Sequence, residues 1–139
     1  MYQNWVLLAL LVWPAAGALA VLTAPSRWAR HIALAAALVE FALSVPMWWT
    51  FVPAAGMQFR FDAAWMPAWG IRFTVGVDGI SLFLVLLTTL LVPLSVLGSY
   101  ASITQRVRGY YALLLVLTSG MLGVFVALDL FLFYVMWEV

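Results

Sequence analysis

The chain has 139 residues, a formal net charge of +1, 68% apolar side chains and only 8% charged ones. That balance excludes a disordered chain and an ordinary water-soluble domain, and points to a membrane-embedded one. The absence of a basic cluster excludes nucleic acid as a partner. The absence of cysteine excludes disulfides, thiolate metal sites and iron–sulfur clusters held by this chain, and a single histidine leaves no histidine pair for a metal or haem.

Trp5 to Leu22 is an apolar run of minimum spanning length, with Pro14 inside it. Ala18-Leu19-Ala20 has the small-residue look of a signal-peptidase site. Met1 to Asn4 carries no basic side chain, however, and a second long apolar run follows at once, so a retained first helix is expected. Residues 23–30 form a short connection carrying Arg27, Trp28 and Arg30. His31 to Phe51 is the second span, with Glu40 near its centre, Pro46 one turn from its end and Trp48-Trp49 as an interfacial pair.

Residues 53–78 are the longest non-spanning segment. Met57, Phe59 and Phe61 alternate with polar residues, as do Ile71, Phe73 and Val75, and period two is the signal of a half-buried strand. The spacing predicts a hairpin around a turn at 63–70. Pairing Phe61 with Ile71 makes one face wholly apolar, but it also sets Arg60 opposite Arg72, which is unfavourable unless Asp62 screens them. A two-stranded hairpin is marginal alone, so it is expected to lie on the membrane helices or on another subunit.

Asp78 reads as the N-cap of the third span, residues 80–100, in preference to a proton-handling role. Arg106 and Arg108 occupy the next short loop. The fourth span is residues 110–128, and its Ser119, Gly120 and Gly123 form a small-residue patch expected to receive partners from outside this chain. Asp129 caps a fifth helix, 130–139, which holds the start of a span only. The expected fold class is an all-α polytopic transmembrane helix bundle, with four complete spans plus the start of a fifth and a short extracytoplasmic β-hairpin.

Only Glu40 and Glu138 lie deep within spans, and neither has a basic partner inside a span of this chain. Glu138 stands nine residues beyond Asp129, about 13 Å along a helix and so close to the middle of a ~30 Å hydrocarbon core. Desolvation favours the neutral form of an isolated carboxyl, which suits a proton relay and equally suits an acid simply kept protonated and hydrogen-bonded between helices. For Glu40 both readings stand, with Ser44 one turn on as a local partner. Glu138 has Tyr134 one turn back on its own side.

Gly76-Val-Asp-Gly-Ile-Ser-Leu82 opening a helix, followed by Gly123-Val-Phe-Val-Ala-Leu-Asp-Leu-Phe-Leu-Phe-Tyr-Val-Met-Trp-Glu138, resembles the subunit M family of bacterial proton-pumping NADH:quinone oxidoreductase, the equivalent of mitochondrial chain 4 of respiratory complex I. The hairpin with its Trp-Met-Pro turn is similar too. The resemblance covers the whole chain, more loosely in the first two helices. It implies a non-redox membrane-arm subunit of about fourteen helices that moves protons along buried ionisable groups and water. Residues 1–139 would be the N-terminal part of one antiporter-like membrane domain, not active alone. The family's fifth-helix glutamate, matched by Glu138, works with a lysine in the seventh helix, beyond Val139. No essential family glutamate matches Glu40. The resemblance further implies no cofactor in this chain, since NADH, flavin, iron–sulfur clusters and quinone bind other subunits. The implied partners are other complex I membrane subunits, the lipid bilayer and protons. The alternative reading is a subunit of a Mrp-type cation/proton antiporter or of a membrane-bound hydrogenase complex.

Sidedness follows from the arginines. Arg27, Arg30, Arg106 and Arg108 sit in loops free of acidic residues, whereas Arg60 and Arg72 share theirs with Asp62 and Asp78. The positive-inside rule then makes the acid-free loops cytoplasmic and sends the N-terminus and residues 53–78 outward from a bacterial inner membrane. An impermeant thiol reagent should label a cysteine introduced at Ala64 on intact cells; protection of that cysteine would reverse the topology.

Overall fold

Small residues decide how closely the first two helices approach. The computed structural model describes residues 1–139. Helix α1 runs Tyr2–Thr23 and α2 runs Ser26–Ser44, antiparallel to it across a two-residue turn. A Cβ built on Gly17 would lie 3.0 Å from the Ala36 Cβ and 3.3 Å from Leu115 Cδ1, so glycine is what lets the backbones meet. The buried face of α2 is Ala29, Ala33, Ala36, Ala37, Glu40 and Ser44, a stripe with one carboxylate set among methyl groups and a hydroxyl. The indole of Trp13 donates to the Ala36 carbonyl at 2.9 Å and ties the two helices together at that level.

The second helix starts at Ser26, earlier than the His31 expected, because Pro25 supplies a pre-set φ of −58° just before the first turn. It continues through Val45, still in helical conformation, into α3, Pro46–Thr50. The helical run of 25 residues is interrupted only where Pro46 removes an N–H. Helix α4 is Gly79–Gly98 and α5 is Val107–Val126. Asp78 caps α4 as its sequence position predicts, with the Ser81 N–H donating to Oδ1 at 2.7 Å. That bond, together with the Ser81 hydroxyl, holds the Asp78 carboxyl below the usual carboxylate range. Four of these helical runs are long and apolar enough to cross a membrane.

The arginine-bearing ends are bound together by polar contacts. Arg30 donates to the Tyr100 carbonyl at 3.1 Å and places its guanidinium 5.5 Å from the centre of the Tyr100 ring. Ser99 and Tyr110 share a 2.8 Å hydrogen bond between α4 and α5. The other end of the bundle is closed by the hairpin, β1 Gln58–Met66 and β2 Ile71–Val77, antiparallel.

The hairpin exists as read, but its register is shifted. Phe61 pairs with Val75, Ala63 with Phe73 and Ala64 with Arg72, instead of Phe61 with Ile71. Residues 63–66, assigned to the turn, extend β1, because Pro67 and a left-handed Gly70 (φ 69°) confine the reversal to a single 3-10 turn. Across Phe61–Ala64 the shift is an even number of residues, so those side chains keep their faces, while the irregularities at either end of β1 shift Gln58 and Met66 by an odd number. It also removes the Arg60–Arg72 juxtaposition and puts Asp62 opposite Thr74, beside Arg72. Phe59 adopts φ 54° at an irregularity between Gln58 and Phe61, a costly conformation for an aromatic residue. In return its ring is 97% withdrawn from the surface and meets Tyr2 edge to face at 6.4 Å. As expected for so small a sheet, it rests on the helices: β1 packs on α1, while β2 meets α5 and α6 (Leu130–Glu138).

The small-residue patch on α5 is filled from within the chain, not by an outside partner. A Cβ on Gly123 would fall 2.5 Å from the Met136 Sδ, and one on Gly120 would fall 3.1 Å from Val139 Cγ1. Ser119 donates to the Leu11 carbonyl at 2.7 Å. The sequence places this patch correctly but cannot say which helix it receives. Replacing Gly17 by Leu should force α1, α2 and α5 apart and destabilise the bundle by about 1–3 kcal/mol, read as a lowered melting temperature of the purified full-length subunit; Gly17→Ala should do less.

Candidate functional site

Two carboxylates fall within helical segments, and the fold treats them in opposite ways. Helix α6 begins where Asp129 accepts from the N–H groups of Phe131, at 2.9 Å, and Leu132, at 3.3 Å. This is the cap its sequence predicts. The helix start is then held by the hairpin. Leu128 N–H donates to the Thr74 carbonyl at 2.8 Å, Ala127 forms an isolated bridge with Val75, and the Arg72 N–H makes a long 3.4 Å contact to Asp129 Oδ2. Trp65 on β1 meets Phe131 edge to face at 5.8 Å. One turn of sequence between two helices is thus fixed by a strand edge.

From that anchor α6 runs for nine residues and ends at Glu138. Leu132, Met136 and Val139 face α5 at helical spacing, with Leu132 buried and the other two against Gly123 and Gly120. Tyr134, Trp137 and Glu138 lie off that face and are exposed in this chain. Glu138 and Tyr134, four apart, share one side of the helix. The sole ion pair in the structure is Arg72 with Asp62, so Glu138 has no charged partner here.

Glu40 is the reverse case. It is 1% exposed, and both carboxyl oxygens are shielded from solvent and have no hydrogen-bond partner within the protein. Ser44, expected to partner it, does not. Its hydroxyl lies 2.8 Å from the Phe41 carbonyl on its own helix and 2.7 Å from Thr89 Oγ1 on α4, so its bonding capacity is already engaged. Thr88, Thr89 and Thr118 add further buried hydroxyls from α4 and α5. These threonines were not singled out from the sequence. Their only signal was a polar residue recurring on the otherwise apolar third and fourth spans. Glu40 and Glu138 are not brought together: α2 packs on α1, α4 and α5, whereas α6 packs on α5 and β2. No three His, Asp or Glu side chains gather in one place.

The outer polar cluster has its own electrostatics. The Arg72 guanidinium donates from Nε to Asp62 Oδ1 at 2.8 Å, and the Thr74 hydroxyl donates to the same oxygen at 2.8 Å. Chiefly through the Arg72 bond, then that of Thr74, the Asp62 carboxyl is held below the usual range, and Arg72 is held above its own. The folded hairpin therefore binds fewer protons at Asp62 than the unfolded segment does. This contribution to stability is present above the ordinary aspartate value of about 4 and is lost as pH falls through the lower folded value. Amide exchange at Thr74 and Val75, corrected for intrinsic rate, should accelerate on acidification in the parent; Asp62→Asn should show the faster exchange already at neutral pH.

Known proteins place this arrangement. The family profile described as NADH-ubiquinone oxidoreductase chain 4, amino terminus, matches residues 7–128. The chain is 45% identical over 116 residues to the NADH-quinone oxidoreductase subunit M of Rhodobacter capsulatus, covering 83% of this chain and 22% of that protein. It is 37% identical over 133 residues to the NADH-ubiquinone oxidoreductase chain 4 of Arabidopsis thaliana, covering 93% of this chain and 27% of that one. Among solved structures, a chain of respiratory complex I from Thermus thermophilus with bound NADH superposes with a TM-score of 0.78 at 27% identity, over 95% of this chain and 26% of that chain. The chain thus spans about a quarter of the length of the relatives it matches.

Proposed function

Because the chain belongs to the NADH-ubiquinone oxidoreductase chain 4 family, matching its amino-terminal part, we propose that it serves in the membrane arm of a respiratory complex I and contributes to proton translocation coupled to electron transfer from NADH to quinone. In this reading it is a non-redox subunit, and NADH, flavin, iron–sulfur clusters and quinone are bound by other subunits. Residues 1–139 form the N-terminal part of one antiporter-like membrane domain, and the other membrane subunits and the lipid bilayer are its partners. The arginine distribution supports an inner-membrane orientation with the N-terminus and hairpin outside. The antiporter and hydrogenase alternative has no support from the family match or from the names its relatives carry.

The observation that carries the proposal is the placement of Glu138. Asp129 and the hairpin hold the start of α6, and Glu138 follows nine residues later, about 13 Å deeper. Its side of the helix, shared with Tyr134, is the side not occupied by α5. A carboxylate at that depth needs a cation or a proton. We assign Glu138 the proton-transfer role, in a switchable pair with a lysine of the longer family protein. While the pair is closed, both groups are charged and stabilise each other. When it opens, Glu138 takes up a proton from water on one side and the lysine releases its proton to water on the other, so that one proton enters as one leaves. Quinone reduction elsewhere biases the open and closed states only to the extent that it distinguishes them energetically.

In the full-length subunit within its complex, Glu138→Gln should abolish most NADH-driven proton pumping, a loss of about tenfold or more, while the complex still assembles. Pumping at the parental rate in reconstituted vesicles would sink the assignment.

A further inference from the structure

The most costly group in the bundle is one the Glu138 reading leaves unused. Glu40 sits on the alanine face of α2 with both oxygens enclosed and unbonded within the protein. The elements packed around it offer no counter-ion. Helices α3 and α4 have no ionisable side chain. Helix α1 has only Tyr2, whose hydroxyl donates to the Leu43 carbonyl. Helix α5 has Arg108, Tyr110 and Tyr111, all in its first turn and a half, at the end where Arg30 lies. On α2 itself Arg27, Arg30 and His31 precede Glu40 by nine residues or more, about 13 Å or further along the axis. A charged carboxylate at this position would stand without a counter-ion among apolar side chains, which favours the neutral acid.

The surroundings of Glu40 are apolar but contain spare acceptors. Ser44, one turn outward on α2, meets Thr89 of α4. Helix α4 runs opposite to α2, so Pro93, one turn beyond Thr89, stands at the level of Glu40. Both it and Pro14 of α1 are buried. Pro14 lies within a turn of the same level, between Leu11, which is bonded to Ser119, and Gly17, which meets Ala36. A proline inside a helix supplies no N–H to the carbonyl four residues back, which frees those of Thr89 and Leu10. Two proline-freed carbonyls and the Ser44–Thr89 hydroxyl pair therefore surround the level of one enclosed carboxyl. A buried water needs two to four such partners.

We propose that Glu40 is a second proton-binding site of this membrane unit: a neutral carboxylic acid that shares a bound water with the carbonyls of Leu10 and Thr89 and exchanges its proton through that water. In the exchange the acid O–H bond breaks and its proton joins the water, while one O–H bond of the water breaks and that proton joins the other carboxyl oxygen, so the acid and the water both stay neutral. The site is separate from Glu138 in position: α2 packs on α1, α4 and α5, whereas α6 packs on α5 and β2. Its use in pumping rests on the proton-translocation reading above; its existence as an exchangeable acid does not.

The test is infrared difference spectroscopy on the full-length subunit in its assembled complex, with carboxyl-labelled glutamate, in light and heavy water. A protonated-carboxyl C=O band that shifts in heavy water is expected. It should vanish in both Glu40→Gln and Glu40→Leu and persist in Glu138→Gln. The Gln variant keeps shape and polarity, so it reports even where Leu fails to fold. NADH-driven pumping should also fall in Glu40→Gln, with NADH oxidation retained. Absence of the band, or a band that does not shift in heavy water, overturns the site. Parental pumping in Glu40→Gln overturns its use. A persistent, exchangeable Glu40 band alongside normal pumping in Glu138→Gln would remove the Glu138 reading and leave this one standing.

Discussion

The close approach of α1 and α2 at Gly17 and Ala36 is the contact on which the rest depends. Lipid tails are as apolar as leucine, so helices in a membrane gain little from hydrophobic sequestration and must gain from packing and hydrogen bonds. Glycine and alanine provide the first by letting backbones meet. The Trp13 bond to the Ala36 carbonyl provides the second. With α1 and α2 in contact, α5 closes over both through Leu115 and Ser119, and α4 is drawn in by Thr89. Larger residues on the α2 stripe would hold these helices apart and leave Glu40 in a lipid-facing groove rather than an enclosure.

The second constraint works at the outer end. A hairpin of two strands is not stable alone, yet here it has a fixed place because each face has something to cover. Phe59 accepts a strained backbone to reach Tyr2, and Val75 and Val77 are fully buried. Gly76 leaves room for Leu128, whose Cδ1 would lie 2.9 Å from any added Cβ. The free edge of β2 then takes up the connection between α5 and α6. The hairpin is therefore a brace that sets where α6 starts, and through α6 the position of Glu138. Packing at the sheet and the position of that carboxylate are linked by one nine-residue helix.

The two acids differ sharply in their surroundings. Glu138 is carried on the side of α6 that α5 leaves free, where a further helix of the longer family protein can meet it. Glu40 is surrounded by the chain's own helices and meets only hydroxyls, carbonyls and methyl groups. In the proposed reading the first pairs with a charge and the second holds a proton. Neither arrangement is visible from hydropathy, which scores the two residues alike.

Much of this was legible in one dimension. Spanning length and the lack of charge determined four membrane-crossing helices. Asp78 and Asp129 determined where two helices begin, and alternation at Phe59–Phe61 and Ile71–Val75 determined a hairpin with an apolar face. These are local properties, carried by residues within a turn or a strand of one another. What only the tertiary structure decided depends on residues dozens of positions apart. The strand register was decided by a turn confined to Pro67–Gly70 and by the demand to bury Phe59. The occupant of the Gly120–Gly123 patch was decided by where the hairpin starts α6. The partner of Ser44 proved to be Thr89, not Glu40, because α4 lies across that face of α2. Enclosure is a property of neighbours, and no stretch of α2 alone states which helices will surround it.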